Sequence, residues 1–155
     1  MVGRAYCWGN NTVLEVGAPT SDTCDGAKPC SLAPVPVLTT AVFSSLTASQ
    51  FATCGVTSIL TTLCWGMDYE NSFGARAGTV PVCRTPGTLY GCTDVPVVGP
   101  SGFQTLSGAT SNHCGIKSDG IAYCWGGNSF GQRGAGGLTV DAGPQVFSIA
   151  PGTAH

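Results

Sequence analysis

Apolar residues come in short runs, such as Ala122-Tyr123-Cys124-Trp125 and Val95-Pro96-Val97-Val98, broken by Gly, Pro, Asn, Asp and Ser. Long helices have no room between these turn signals, so the pattern predicts an all-β chain of short strands. Ala122-Tyr123-Cys124-Trp125 is apolar on both faces. Such a strand suits a small sheet packed between two neighbours and would be wasteful in a sheet facing water. His113 to Trp125 reads as two strands joined by a three-residue turn, with Gly120 in the left-handed position that the turn requires.

Centring that hairpin on Asp119 sets Cys114 opposite Cys124, where cross-strand Cα atoms lie about 4.5 to 5.5 Å apart, within disulfide reach. Cys54 and Cys64 have the same separation, centred on Ile59. The same bridge is expected there, each stabilising by about 2 to 4 kcal/mol. Cys24 and Cys30, and likewise Cys83 and Cys92, lie in Pro/Gly-rich segments between a Trp-Gly strand and the next Val-Pro-Val strand. They are assigned to small local loops, where spacing constrains connectivity less. Cys7 is left unpaired, its equivalent partner being expected in a further hairpin beyond His155.

The chain repeats itself. Val35, Val37, Phe43, Leu46, Cys54, Cys64 and Trp65 recur sixty positions later as Val95, Val97, Phe103, Leu106, Cys114, Cys124 and Trp125. Ala5 to Gly9 matches Ala122 to Gly126, and Val146 to His155 matches the opening of a unit. One repeat domain is expected over residues 1–155. It divides into the end of one repeat with a Cys loop (1–34), two units (35–94 and 95–143) and the start of a further repeat (144–155). Double-sided apolar strands on such a period predict the blades of a β-propeller, which are typically four-stranded and stacked four to eight to a ring. About three blades are present, an incomplete propeller.

Trp125-Gly126-Gly127-Asn128-Ser129-Phe130-Gly131-Gln132-Arg133-Gly134, preceded by Ala122-Tyr123-Cys124, resembles the Trp-Gly-x-Asn-x-x-Gly-Gln-Leu-Gly signature of the regulator of chromosome condensation repeat. Asn71 to Arg76 looks like a second copy displaced by a three-residue insertion, and Trp8 to Gly17 like a degraded third. The resemblance implies a propeller of seven blades in its complete form. The paired hairpin cysteines are similar to those of the family's secreted bacterial branch. Some members act in guanine-nucleotide exchange on a small nuclear GTPase, one secreted group inhibits β-lactamases, and fold alone does not choose among such roles.

Composition narrows the class of partner. Six Lys or Arg and eight Asp or Glu leave a net charge of −2, too little field to steer a polyanion or an anionic membrane, so nucleic acid is not expected. The 23 glycines and ten prolines follow no three-residue period, which argues against collagen. Nine cysteines, without Cys-x-x-Cys pairs or clustered histidines, point to disulfides rather than metal and to an extracellular, periplasmic or cell-surface location. No apolar run has the length of a membrane span.

Candidate chemistry is sparse. The glycine run Gly131 to Gly137 lacks the Gly-Lys-Ser/Thr of a phosphate cradle and reads as a repeat turn. His113 lies beside Cys114 rather than at ligand spacing from another donor, and adjacent strand residues point to opposite faces, so a Cys-His nucleophile pair is not expected. Asp68 and Glu70 form the one close carboxylate pair and could be a glycosidase pair or a calcium loop, but a solvated loop is the simpler reading. Asn10-Asn11-Thr12 matches a glycosylation acceptor. Tyr6, Trp8, Trp65, Tyr123 and Trp125 recur with the repeat and are assigned to packing between blades. Tyr69, Phe73 and Tyr90 break the repeat, fall in loops and are the candidate exposed contacts.

The expected function is therefore a non-enzymatic scaffold, without cofactor, that binds a protein partner through the loops of one rim. Those loops are chiefly Gly66 to Gly78 and the disulfide loops Cys24 to Cys30 and Cys83 to Cys92. A structural module that self-assembles through open edges, or belongs to a longer propeller, is the alternative. Nucleotide exchange on a GTPase rests on the family analogy alone and conflicts with the disulfides.

Overall fold

A computed structural model describes residues 2–74, 80–83, 89–134 and 145–147. Ala75, Arg76, Gly78, the glycine run from Ala135 to Gly137, Asp141 and the closing segment from Ser148 to His155 lie outside the described residues.

Among the described residues the strands form three antiparallel sheets. The first joins β1 (Tyr6–Asn10), β2 (Asp22–Cys24) and β3 (Lys28–Pro36) in the order β1-β3-β2. The second is β4 (Phe43–Ala48), β5 (Ala52–Thr57), β6 (Thr62–Met67) and β7 (Cys92–Val98), in chain order. The third holds β8 (Phe103–Gly108), β9 (Asn112–Lys117), β10 (Ala122–Gly126) and β11 (Gln145–Phe147), in the order β11-β10-β9-β8. One turn of 3-10 helix, Tyr69–Asn71, follows β6. The sequence repeat and the sheet are out of phase. Val95-Pro96-Val97, which opens the second copy of the repeat, belongs to β7 and pairs back onto β6. Pro96 is tolerated there because β7 is an edge strand.

Hairpin register places the sulfurs. Cys54 faces Cys64 and Cys114 faces Cys124, and both pairs are bonded with Cα atoms 4.1 Å apart. Cys24–Cys30 and Cys83–Cys92 close the two local loops. Cys7, on β1, carries a free thiol.

Cores form between sheets rather than within one. Ala5, Val37, Phe43 and Trp65 pack where the first sheet meets the second, and Val56, Phe103 and Trp125 where the second meets the third. Every residue of β5 is buried because the strand is covered on both faces. Radially stacked, double-sided sheets of this kind make an incomplete β-propeller.

The turns after the Trp-Gly strands share one hydrogen bond, and the first two of them fasten one sheet to the next. Asn11 Oδ1 accepts the Val16 N–H at 3.0 Å, Asp68 Oδ1 that of Phe73 at 2.8 Å and Asn128 Oδ1 that of Arg133 at 2.9 Å. Val16, Phe73 and Arg133 are all buried. Asp68 therefore takes the place of the motif's Asn, and no insertion separates the second copy of the signature from its Trp-Gly. The expectation of a three-residue displacement is corrected. It arose because Asn71 has the motif's residue type while Asp68 performs its hydrogen bond. The carbonyl just before each buried residue is presented to the next sheet. Glu15 O receives the Trp65 indole N–H and Ser72 O that of Trp125, both at 3.0 Å.

Tyr6 and Trp8 depart from the packing role assigned to them, being 49% and 63% exposed. Among the described residues no sheet covers that side of β1. His113 stands where the second sheet has Thr53, which donates to Glu15 O at 3.3 Å. It is buried and stacked on Trp125 with ring centroids 6.0 Å apart. The imidazole lies near the Ser72 backbone, yet neither nitrogen reaches hydrogen-bond geometry. Loss of solvation lowers its pKa to about 4, the Ser72 backbone opposing only part of that shift.

Candidate functional site

Loop 68–74 leaves β6 in the geometry just described, so its outward and inward positions are fixed by the Asp68 bond. Phe73 follows that rule inward. It is 0% exposed and packs with Ala52, Cys54 and Cys64, so the expectation that it is an exposed contact is corrected. The physical reason is position. Phe73 is the counterpart of Val16 and Arg133, the buried residue of each turn.

Tyr69 points the other way and meets Tyr90 with ring centroids 4.5 Å apart. Phe51 extends the row, its ring 5.4 Å from that of Tyr69. Tyr69 is half-buried and Tyr90 is 37% exposed, so the row is a surface feature with a supported base. Met67, Cys83 and Cys92 lie beneath it, together with Val13 and Leu14 from the first sheet's turn. The Cys83–Cys92 bond thus supports the ground on which both tyrosines sit. The Tyr90 phenol, followed by the nearby Glu70 carboxylate, pushes the Tyr69 pKa upward.

Two open clefts border the row. One of about 680 Å³ is walled by Leu14, Pro81, Val82, the Cys83–Cys92 pair and Val95, with Thr93 and Asp94 as its polar groups. The other, about 510 Å³, runs between Val13, Phe51 and the Cys24–Cys30 loop. Val82 and Val95 are exposed in the first. An apolar surface of this kind on a disulfide-supported rim suits contact with another macromolecule. Sequence reasoning missed Phe51. Its repeat counterpart is Ser111, and no local pattern distinguishes it.

The carboxylates of the same loop are engaged structurally. Asp68 holds the Phe73 N–H, and burial raises its pKa while that hydrogen bond opposes the rise. Glu70 Oε2 accepts from Ser111 Oγ at 3.1 Å, tying the second sheet to the third. Among the described residues no three His, Cys, Asp or Glu side chains gather as a metal site would. No helix of the described residues is long and apolar enough to cross a membrane.

Similarity to known proteins agrees with this architecture. Residues 108–132 match the regulator of chromosome condensation (RCC1) repeat. No curated protein matches the chain. Among solved structures, Prp20p from Saccharomyces cerevisiae, described with its binding to Gsp1p and histones, superposes with a TM-score of 0.75 at 16% identity over 92% of this chain and 34% of its own. Yeast RCC1 (Prp20) bound to Kap60 superposes with a TM-score of 0.70 at 16% identity over 92% of this chain and 32% of its own. Human WBSCR16 does so with 0.66 at 14% identity over 94% and 33%. The chain spans about a third of the length of each structure. At such identities the likeness is one of fold. The described sheets are blades of a β-propeller, and residues 108–132 among them match the RCC1 repeat.

Proposed function

We propose that this chain is a non-enzymatic scaffold that binds a protein partner through the rim of Phe51, Tyr69 and Tyr90 and the two clefts beside them. The observation that carries this reading is the aromatic row itself. Three rings meet in a tilted row at the surface, away from the inter-sheet cores that hold Trp65 and Trp125. Rigid aromatic anchors over a desolvated base are what protein interfaces use as hot spots. The acidic side chains of the same loop are occupied in closing the turn and joining sheets, which supports a binding role over a catalytic one. One of the structurally similar proteins, yeast Prp20, is described with its binding to Gsp1p and histones and in a structure bound to Kap60. The four disulfides fit work outside the reducing cytosol, in a secreted or cell-surface setting.

The test is affinity capture from the surface and medium proteins of the source cells, with the folded chain as bait. Tyr69→Ala and Tyr90→Ala are expected to weaken the captured partner at least tenfold while the melting temperature stays within about 2 °C, since both side chains are at the surface. Capture undiminished by both changes, or binding and melting temperature lost together, would count against the rim.

A further inference from the structure

Each boundary between sheets is fastened by one indole hydrogen bond, and the chain displays the two halves of a third fastener on opposite outer faces. In both internal cases the donor Trp lies on the later sheet and the acceptor carbonyl on the earlier one: Trp65 to Glu15 and Trp125 to Ser72. The acceptor stands four residues after the Asn or Asp that closes its turn. Left-handed residues three and six positions after that Asn or Asp flank the carbonyl, Leu14 and Gly17 at φ 69° and 70°, and Asn71 and Gly74 at φ 60° and 64°, with Glu70 also left-handed in the second turn at φ 53°. Gly17 and Gly74 lie directly against the incoming indole, for a Cβ on either would meet Trp65 Cδ1 at 2.7 Å or Trp125 Cδ1 at 2.9 Å.

Turn 128–134 on the third sheet is built identically. Asn128 takes the Arg133 N–H, and Gly131 and Gly134 have φ of 75° and 73°. By the same count its acceptor is the Gln132 carbonyl. Gln132 is exposed, and no described group donates to that oxygen. Phe130, in the same turn, is 91% exposed. On the first sheet Trp8 is the counterpart of Trp65 and Trp125, and no described residue accepts its indole N–H. Exposed Tyr6 lies two residues away on the same strand.

We propose that copies of this chain associate head to tail, the Trp8 indole of one copy donating to the Gln132 carbonyl of the next. The occupant of the Trp8 face is a second copy because this chain itself supplies the matching turn, and the contact would continue an interface already formed twice within the molecule. Donor and acceptor lie on different faces, so the contact is heterologous and leads to a ring if the rotation closes or to a linear assembly if it does not. It uses neither Tyr69 nor Tyr90 and stands independently of the rim.

Sedimentation velocity on the full 15.7 kDa chain, from micromolar to near-millimolar concentration, reads the association. The weight-average mass should rise with concentration. Tryptophan emission should shift to the blue in step, because Trp8 is the exposed one of the three tryptophans. Trp8→Phe keeps the ring but removes the N–H, and is expected to raise the dissociation constant at least tenfold. Gly134→Asn, a residue that tolerates the left-handed backbone, should block the acceptor face to a similar degree. Each variant keeps one live face, so an equimolar mixture of the two should form a capped dimer and nothing larger. A parent chain that stays monomeric throughout, or variants that assemble as the parent does, would overturn the proposal. Unchanged far-ultraviolet circular dichroism of both variants separates loss of the contact from loss of the fold.

Discussion

Two side chains carry pH and redox chemistry that a folded scaffold must tolerate. Cys7 is half-buried at the edge of the core formed with Trp65, and loss of solvation pushes its thiol pKa up, with the Trp65 indole opposing. Less thiolate at neutral pH means slow alkylation in the native state. A thiol assay on the denatured, unreduced chain should count one group, rising to nine after reduction. A count of three or more before reduction would contradict the four bridges. His113 has the opposite linkage to a paired histidine. Its folded pKa of about 4 lies below the ordinary value, so the unfolded chain takes up the proton first as the solution is acidified. Stability from this group is therefore full above about pH 6.5 and is lost as pH falls toward about 4, by about 3 kcal/mol in total, after which it levels off. His113→Thr copies the residue of the second sheet and should remove that slope from a pH series of denaturant melts. A slope that survives the change would overturn the assignment to His113, since the half-buried carboxyls of Glu15 and Asp68, with pKa values raised in the fold, protonate first in the folded chain and contribute with the opposite sign.

At the scale of elements, the turns after β1 and β6 join one sheet to the next, as the strand ladders join each sheet within itself. Trp125 donates to a carbonyl at the buried Ser72, and Trp125→Phe leaves that oxygen without its partner. The expected cost is about 1 to 3 kcal/mol in chemical unfolding. Trp8→Phe should cost the monomer almost nothing, which makes it the internal control. Gly74→Ala combines a left-handed φ of 64° with a Cβ that would press on Pro100 and on the Trp125 indole, at 2.5 and 2.9 Å. A loss above about 1 kcal/mol is expected from the backbone conformation alone. A neutral result for both substitutions would mean that the sheets are joined by apolar packing without help from these turns.

For the whole molecule, the described residues form three sheets, cross-linked by four disulfides and bordered by a row of aromatic rings, and the outer faces of the first and third sheets differ. β1 is a sheet edge, bonded on one side to β3, while its counterparts β6 and β10 have a strand on each side. Open edges and uncovered aromatic residues on that face are the features by which β proteins recruit further strands or further copies. Local pattern was enough to specify the strands, the hairpin register that sets Cys54 opposite Cys64 and Cys114 opposite Cys124, and the repeat that stacks one sheet on the next. These depend on residues close in sequence, where the two-residue period of a strand and the left-handed preference of glycine leave few choices. Phe73 turning inward, Trp8 lying bare, and Phe51 joining Tyr69 and Tyr90 were decided by tertiary structure alone. Each depends on which sheet lies across the gap, a contact between residues tens of positions apart that no local periodicity records.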